Sequence, residues 1–151
     1  MSKFRFTVVV EKDNKGYFGF CPELQGCYTQ GETYEELLRN IKDAIHLHLE
    51  DRLESGEEIL QPESVTFTSL EIAIWTMGKL PRVSANEVIR VLEQVDFSIV
   101  RQSGSHKIYK NSEGKRVTVP YHAGKTIHPK VLQSILKDAD LTVDMFNELL
   151  K

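Results

Sequence analysis

Apolar and polar positions first alternate and then change period along this chain, and the elements can be read from that change. In FRFTVVV, Phe4, Phe6, Val8 and Val10 fall on one side of a period-two pattern, which predicts a strand over Phe4 to Val10 with one apolar face. Glu11 to Gly16 is turn chemistry. Gly16 to Phe20 reads as a second strand, and the Pro/Gly loop Cys21 to Cys27 leads to a short third strand over Cys27 to Gln30. Thr33-Tyr34-Glu35-Glu36 then has the form of a capping box, with the Thr33 hydroxyl accepting from the third helical amide and Glu36 reaching back to the cap. Leu37, Leu38, Ile41, Ile45 and Leu49 recur at helical spacing, so the helix should end near Ser55-Gly56. Its other side, with Glu35, Arg39, Lys42, Asp43, Glu50 and Asp51, is expected to be solvated. The apolar positions of Val65 to Trp75 predict a last strand, which makes this half β-β-β-α-β.

Met77 to Val83 fits neither period and marks a boundary: 1–75 is one domain, 76–83 a linker and 84–151 a second domain. Fully extended, Met77 to Val83 spans at most about 25 Å, so contact between the domains is open both within one chain and between chains. Ser84-Ala85-Asn86-Glu87 is a second capping box, ahead of Val88, Val91, Leu92 and Val95 on one helical face. Strands are expected over Phe97 to Gln102, Ser105 to Lys110 and Lys115 to Pro120, with turns at Ser103-Gly104 and Asn111 to Gly114. Pro129 can open a helix with Leu132, Ile135, Leu136 and Ala139 inward, and Thr142 caps a terminal helix. The whole is α+β. The second half, α-β-β-β-α, has the element order of a double-stranded-RNA-binding domain.

Charge separates the halves. Residues 1–75 hold 7 Lys/Arg against 14 Asp/Glu, and residues 76–151 hold 12 against 8. From Arg82 to Lys137 there are 10 basic and 4 acidic residues, an excess that attracts phosphates and invites contact with the acidic half or self-association. No apolar run approaches the ~20 residues of a membrane span, and the N-terminus lacks signal-peptide form, so a cytoplasmic protein without membrane attachment is expected. Cys21 and Cys27 alone suggest neither a disulfide framework nor a zinc site, and no metal or cofactor is expected. His46 and His48 lie about 200° apart around the helix axis and cannot chelate together; His48 flanks the apolar stripe and His46 is exposed.

Chemistry concentrates in Ser103-Gly104-Ser105-His106-Lys107-Ile108-Tyr109. A histidine titrating near neutrality can take the proton of a ribose 2′-hydroxyl or protonate a departing oxygen, and cations beside it can bind phosphate. His106 is therefore the candidate catalytic residue, with Gly104, Ser105, Lys107, Lys110, Lys125 and Arg101 as candidate RNA contacts. Lys115 and Arg116 could extend the positive surface. The plain alternative is a turn histidine on the surface. His122 is the second catalytic candidate, in a loop containing Gly124 and Lys125. His128, beside Pro129, reads as a helix starter, and Tyr109 as a base-stacking or core residue.

The VRQSGSHKIY hairpin, the VTVPYHAGKTIHP segment and the VLQSILKDADL helix together resemble the HicA toxins. The resemblance implies a small mRNA-cleaving ribonuclease on a double-stranded-RNA-binding-like fold, with His106 as the histidine of its G-S-H motif. Gly16-Tyr17, Pro22, Leu24, Gly26 and Cys27 resemble the pattern of HicB antitoxins, which implies a partial RNase H-like β-β-β-α-β fold that covers the toxin site. The usual C-terminal DNA-binding segment of that family has no counterpart here, so operator DNA binding is not expected. The resulting expectation is a latent mRNA-cleaving endoribonuclease silenced by its own N-terminal half, in cis or in trans, within a homo-oligomer. The alternatives are a non-catalytic RNA-binding regulator and a structural self-association module.

Overall fold

The computed structural model describes residues 2–72 and 79–151. Its elements are β1 (Val9–Asp13), β2 (Gly16–Phe20), β3 (Tyr28–Gly31), α1 (Tyr34–Glu54), α2 (Ala85–Gln94), β4 (Ser98–Ser103), β5 (His106–Lys110), β6 (Arg116–Pro120), α3 (Pro129–Asp138) and α4 (Val143–Leu150). They build two three-stranded antiparallel sheets, ordered β1-β2-β3 and β4-β5-β6.

In the first sheet the strand predicted over Phe4 to Val10 lies further along the chain. Asp13 pairs with Gly16, leaving a two-residue turn, and the Asp13 carboxylate accepts from the Lys15 amide at 2.8 Å. Gly16 has φ +123°, which the turn needs and an L side chain resists. The polar residues Glu11 to Asp13 are thereby strand rather than turn, while Phe6 and Val8 pack ahead of the strand against a cluster with Cys21, Leu24, Cys27, Ile41 and Ala44. Both cysteines are buried free thiols.

The helix α1 starts at its expected cap: the Thr33 hydroxyl accepts from the Glu36 amide. Glu36 reaches the Glu32 amide instead of that of Thr33, so the reciprocal half of the capping box is displaced by one residue. Two neighbours share the helix. Leu37, Ile41 and Ala44 are buried, whereas Leu38 is exposed. Leu47, His48, Asp51 and Arg52 are buried as well, which overturns the expectation that Asp51 belongs to a solvated face.

The strand expected over Val65 to Trp75 does not form in 65–72, and 73–75 fall outside the described residues. The apolar positions switch phase between Phe67 and Leu70, so no single face of a strand could bury them all. Val65, Phe67, Leu70 and Ile72 are exposed. Among the described residues the first half is β-β-β-α.

The second half follows its predicted order, each strand starting one residue late. Ser84 and Glu87 complete the capping box of α2, His128 caps α3 with Pro129 in its first turn, and Thr142 caps α4. Pairing of Ser103 with His106 leaves Gly104-Ser105 as the turn, with Gly104 at φ +52°. Alternation then sorts the sheet. Tyr109, Val117 and Val119 face α2 and α3 in the main core with Val88, Val91, Leu132 and Ile135. On the opposite face, by register, lie Arg101, His106, Ile108, Lys110, Arg116 and Thr118. The first half covers that face through α1 and β3. Phe18 and Tyr28 even join the main core of the second half, so the two sheets share buried apolar surface.

Candidate functional site

His106 is the first residue of β5, held in place by the Gly104-Ser105 turn on one side and by pairing with Pro120 of β6 on the other. It lies on the covered sheet face and is 1% exposed. Its Nε2 is 2.8 Å from the hydroxyl of Thr29 in β3, across the seam between the halves. Its Nδ1 has no hydrogen-bond partner among the described residues. Burial pushes the imidazole down to about 4; the Asp43 carboxylate pulls the other way and His122 adds to the depression. A histidine so placed is neutral near pH 7 and closed to solvent.

Arg101, on neighbouring β4, is engaged by two carboxylates of α1, Glu50 at 3.3 Å and Glu54 at shorter range. Lys125 donates to Glu32 at 2.7 Å, and that carboxylate holds the ammonium pKa above its ordinary value. Gly104 and Ser105 form the turn, and the Ser105 carbonyl accepts from Tyr121 at 2.6 Å. Lys110 shares the face of His106. Lys107 does not: strand alternation turns it away, and its ammonium lies 3.9 Å from the centre of the Tyr121 ring. The fold thus gathers His106, Arg101 and Lys110 on one face, with Lys125 in the adjoining loop. Tyr109 is committed to the core and cannot stack on a base. His122 and Lys125 line an open cleft of about 310 Å³ at the seam, opposite Glu32 and Glu36.

Several residues take roles at the seam that differ from or add to those expected of them. Arg116 is the most deeply committed: its Nε donates to Asp51 at 2.8 Å and its Nη2 to Glu57 at 2.7 Å. Burial works against its charge, yet the bonds to Glu57 and Asp51 outweigh burial and raise its pKa. His48 is fully buried. Arg52 donates to its Nδ1 at 2.7 Å, which leaves the proton on Nε2 to be donated to Thr118 at 2.9 Å; the Thr118 hydroxyl in turn donates to the Gly26 carbonyl at 2.6 Å. Burial, then the charges of Arg52, Arg116 and His106, hold His48 well below its ordinary value. The Gln25 side chain both donates to and accepts from the Arg116 backbone, covering the outer edge of β6. His128 meets the expectation of a helix starter, its Nδ1 accepting from Lys130, and also bonds Asp13 across the seam at 3.0 Å. The advance signal for their contacts across the seam was the opposite charge of the halves.

All six lysine and arginine ion pairs that cross the seam among the described residues have the same polarity, the carboxylate from the first half and the cation from the second. Comparison with known proteins gives the family. A family model described as the HicB_like antitoxin of bacterial toxin-antitoxin systems matches residues 6–108, more than half of the chain. The chain belongs to the HicB-like antitoxin family. A second model, the HicA toxin of bacterial toxin-antitoxin systems, matches residues 85–141, so this HicB-like chain also carries a HicA segment, and the two matches overlap over 85–108. The chain is 52% identical over 66 residues to a UPF0150 protein of Helicobacter pylori, covering 43% of this chain and 90% of that protein. It is 31% identical over 119 residues to an uncharacterized 14.9 kDa protein of Haemophilus phage HP1, covering 70% of this chain and 86% of that protein. Among the described residues no helix is long and apolar enough to cross a membrane.

Proposed function

We propose that this HicB-HicA chain is a latent mRNA-cleaving endoribonuclease, with an antitoxin unit over 1–75, a linker over 76–83 and a toxin unit over 84–151. The observation that carries the reading is the placement of His106: the histidine of the toxin-like hairpin is covered by the antitoxin-like half, and a Thr29 hydroxyl occupies its Nε2. Once uncovered, the imidazole returns toward its ordinary pKa near 6.5 and can exchange protons at neutral pH. Taking the proton of a ribose 2′-hydroxyl, it lets that oxygen bond to the adjacent phosphorus. The P–O5′ bond breaks, the departing oxygen takes a proton from water, and a 2′,3′-cyclic phosphate and a 5′-hydroxyl are left. Arg101, Lys110 and Lys125 hold the phosphates. The RNA supplies its own nucleophile, so the step asks for neither metal nor cofactor.

The test compares residues 79–151 with the full chain in RNA cleavage and bacterial growth arrest. Cleavage and arrest by the fragment, lost in His106→Ala and absent from the full chain, are the expected results. A fragment that binds RNA without cutting it would reject the catalytic reading in favour of an RNA-binding regulator. Oligomers with no RNA affinity at any salt concentration would point to the self-association module.

A further inference from the structure

The seam can be read as a cast of the substrate. His106 and Arg101 lie on one sheet face, with Arg101 paired one strand over and two residues along, and Lys125 in the loop after β6. Opposite them the first half sets out its groups in the same order: Glu50 and Glu54 on Arg101, Thr29 on His106, and Glu32 on Lys125. The chemical types follow the order as well. Each of these cations receives a carboxylate, an anion with the hydrogen-bond acceptors of a phosphate. The histidine alone receives an aliphatic hydroxyl, the group a ribose would bring. Glu50 and Glu54 are one turn apart on α1, about 6 Å along the axis, so their charges are presented in series along a line, as those of a nucleic-acid backbone are.

We propose that the N-terminal half silences the site by imitating an RNA backbone, with the Thr29 hydroxyl at the position of the reacting 2′-hydroxyl and the carboxylates of Glu50, Glu54 and Glu32 at phosphate positions. This rests on the ribonuclease reading and deepens it in two respects. The proton-transfer atom is Nε2 of His106, because that atom meets the hydroxyl. The RNA strand crosses the sheet from Arg101 past His106 to Lys125, so that phosphates on both sides of the scissile bond are held by cations that the acidic half otherwise neutralises. Lys107 faces away and lies off this path.

The experiment uses the full chain with the seam loosened away from the path by the pair of substitutions D51N and E57Q, which remove the carboxylates from Arg116. Binding of a labelled single-stranded RNA is followed by fluorescence anisotropy over a salt series, and cleavage on gels, with hydrogen exchange of the α2 and α3 amides verifying that the second half is folded. Adding R101A or K125A should weaken binding and lower the salt slope by about 0.7 for each cation removed. R90A, on the far side of α2, should leave the slope as it was. An RNA with a 2′-deoxy sugar at the cut position should bind and survive. Cleavage that persists with an affinity and slope indifferent to R101A and K125A would overturn the mimicry while leaving the ribonuclease reading standing. A folded, open chain that neither binds nor cuts RNA would overturn both.

Discussion

Two buried histidines in this chain are held neutral. The docked state keeps His106 at about 4 and His48 well below its ordinary value, so docking binds fewer protons than the separated halves do. The sign follows: docking has its full strength above about pH 6.5 and loses it as the pH falls toward the docked values, by roughly 3 kcal/mol for His106 alone at the acid end. The protection factors of the β3 amides, with the intrinsic exchange rate at each pH divided out, should fall between pH 7 and 5 in the wild type and fall less steeply in His48→Gln; protection factors flat in both would contradict it. Thr29 supplies a second prediction at this scale. Thr29→Val leaves Nε2 of a buried histidine unpaired, a cost of about 1–3 kcal/mol, so the open population should rise roughly fivefold to 150-fold, whereas Thr29→Ser keeps the hydroxyl and the silence. RNA cleavage by the two full-chain variants measures the difference. The place of His106 at the start of a hairpin strand was legible in the sequence, since that stretch carries turn and strand signals together. Thr29 was not, because a threonine in a strand carries no mark of a partner 77 residues away.

Between elements, the seam rests on close backbone approach as much as on charge. A Cβ on Gly26 would sit 2.3 Å from the Arg116 carbonyl, and Gly26 has φ +82°, so Gly26→Ala should push the Cys21–Cys27 loop off β6. The expected result is a lower Tm and faster exchange at β6 edge amides; an unchanged Tm would show that the loop yields freely. Arg116 sets a larger penalty. Asp51→Ala removes one of the two carboxylates on this buried arginine and leaves Glu57, and a loss of about 1.5–3 kcal/mol of docking stability is expected, readable in denaturant unfolding. The helices and the second sheet were legible because their periods, caps and turns agree with one another. Two readings of α1 and its flank failed for a shared reason: single-element periodicity assumes one buried face. Asp51 and His48 look like outer or flanking positions until a second sheet packs there, and Val65 to Ile72 looks like a strand until its phase change is set against the lack of a strand paired with it among the described residues.

Across the whole molecule, an acidic half and a basic half meet over the one sheet face that α2 and α3 leave open. Much of that attraction is at the rim. Lys125 with Glu32 and Lys130 with Glu11 are exposed enough for salt to screen, while Arg116 with Asp51 is not. Moderate salt should therefore loosen the cleft beside His122 without separating the halves, which hydrogen exchange in 50 mM and 500 mM salt, about a threefold change in screening length, would reveal. The charge asymmetry was plain in the sequence, but the inference from asymmetry to a sealed histidine needed the geometry of β3 against β5. The central claim is that this covering is what keeps a competent ribonuclease silent. The most direct measurement is single-stranded RNA cleavage by residues 79–151, by the full chain, and by each with His106→Ala. The account predicts cleavage by the unsubstituted fragment alone. Equal cleavage by fragment and full chain, or cleavage that survives His106→Ala, would contradict it.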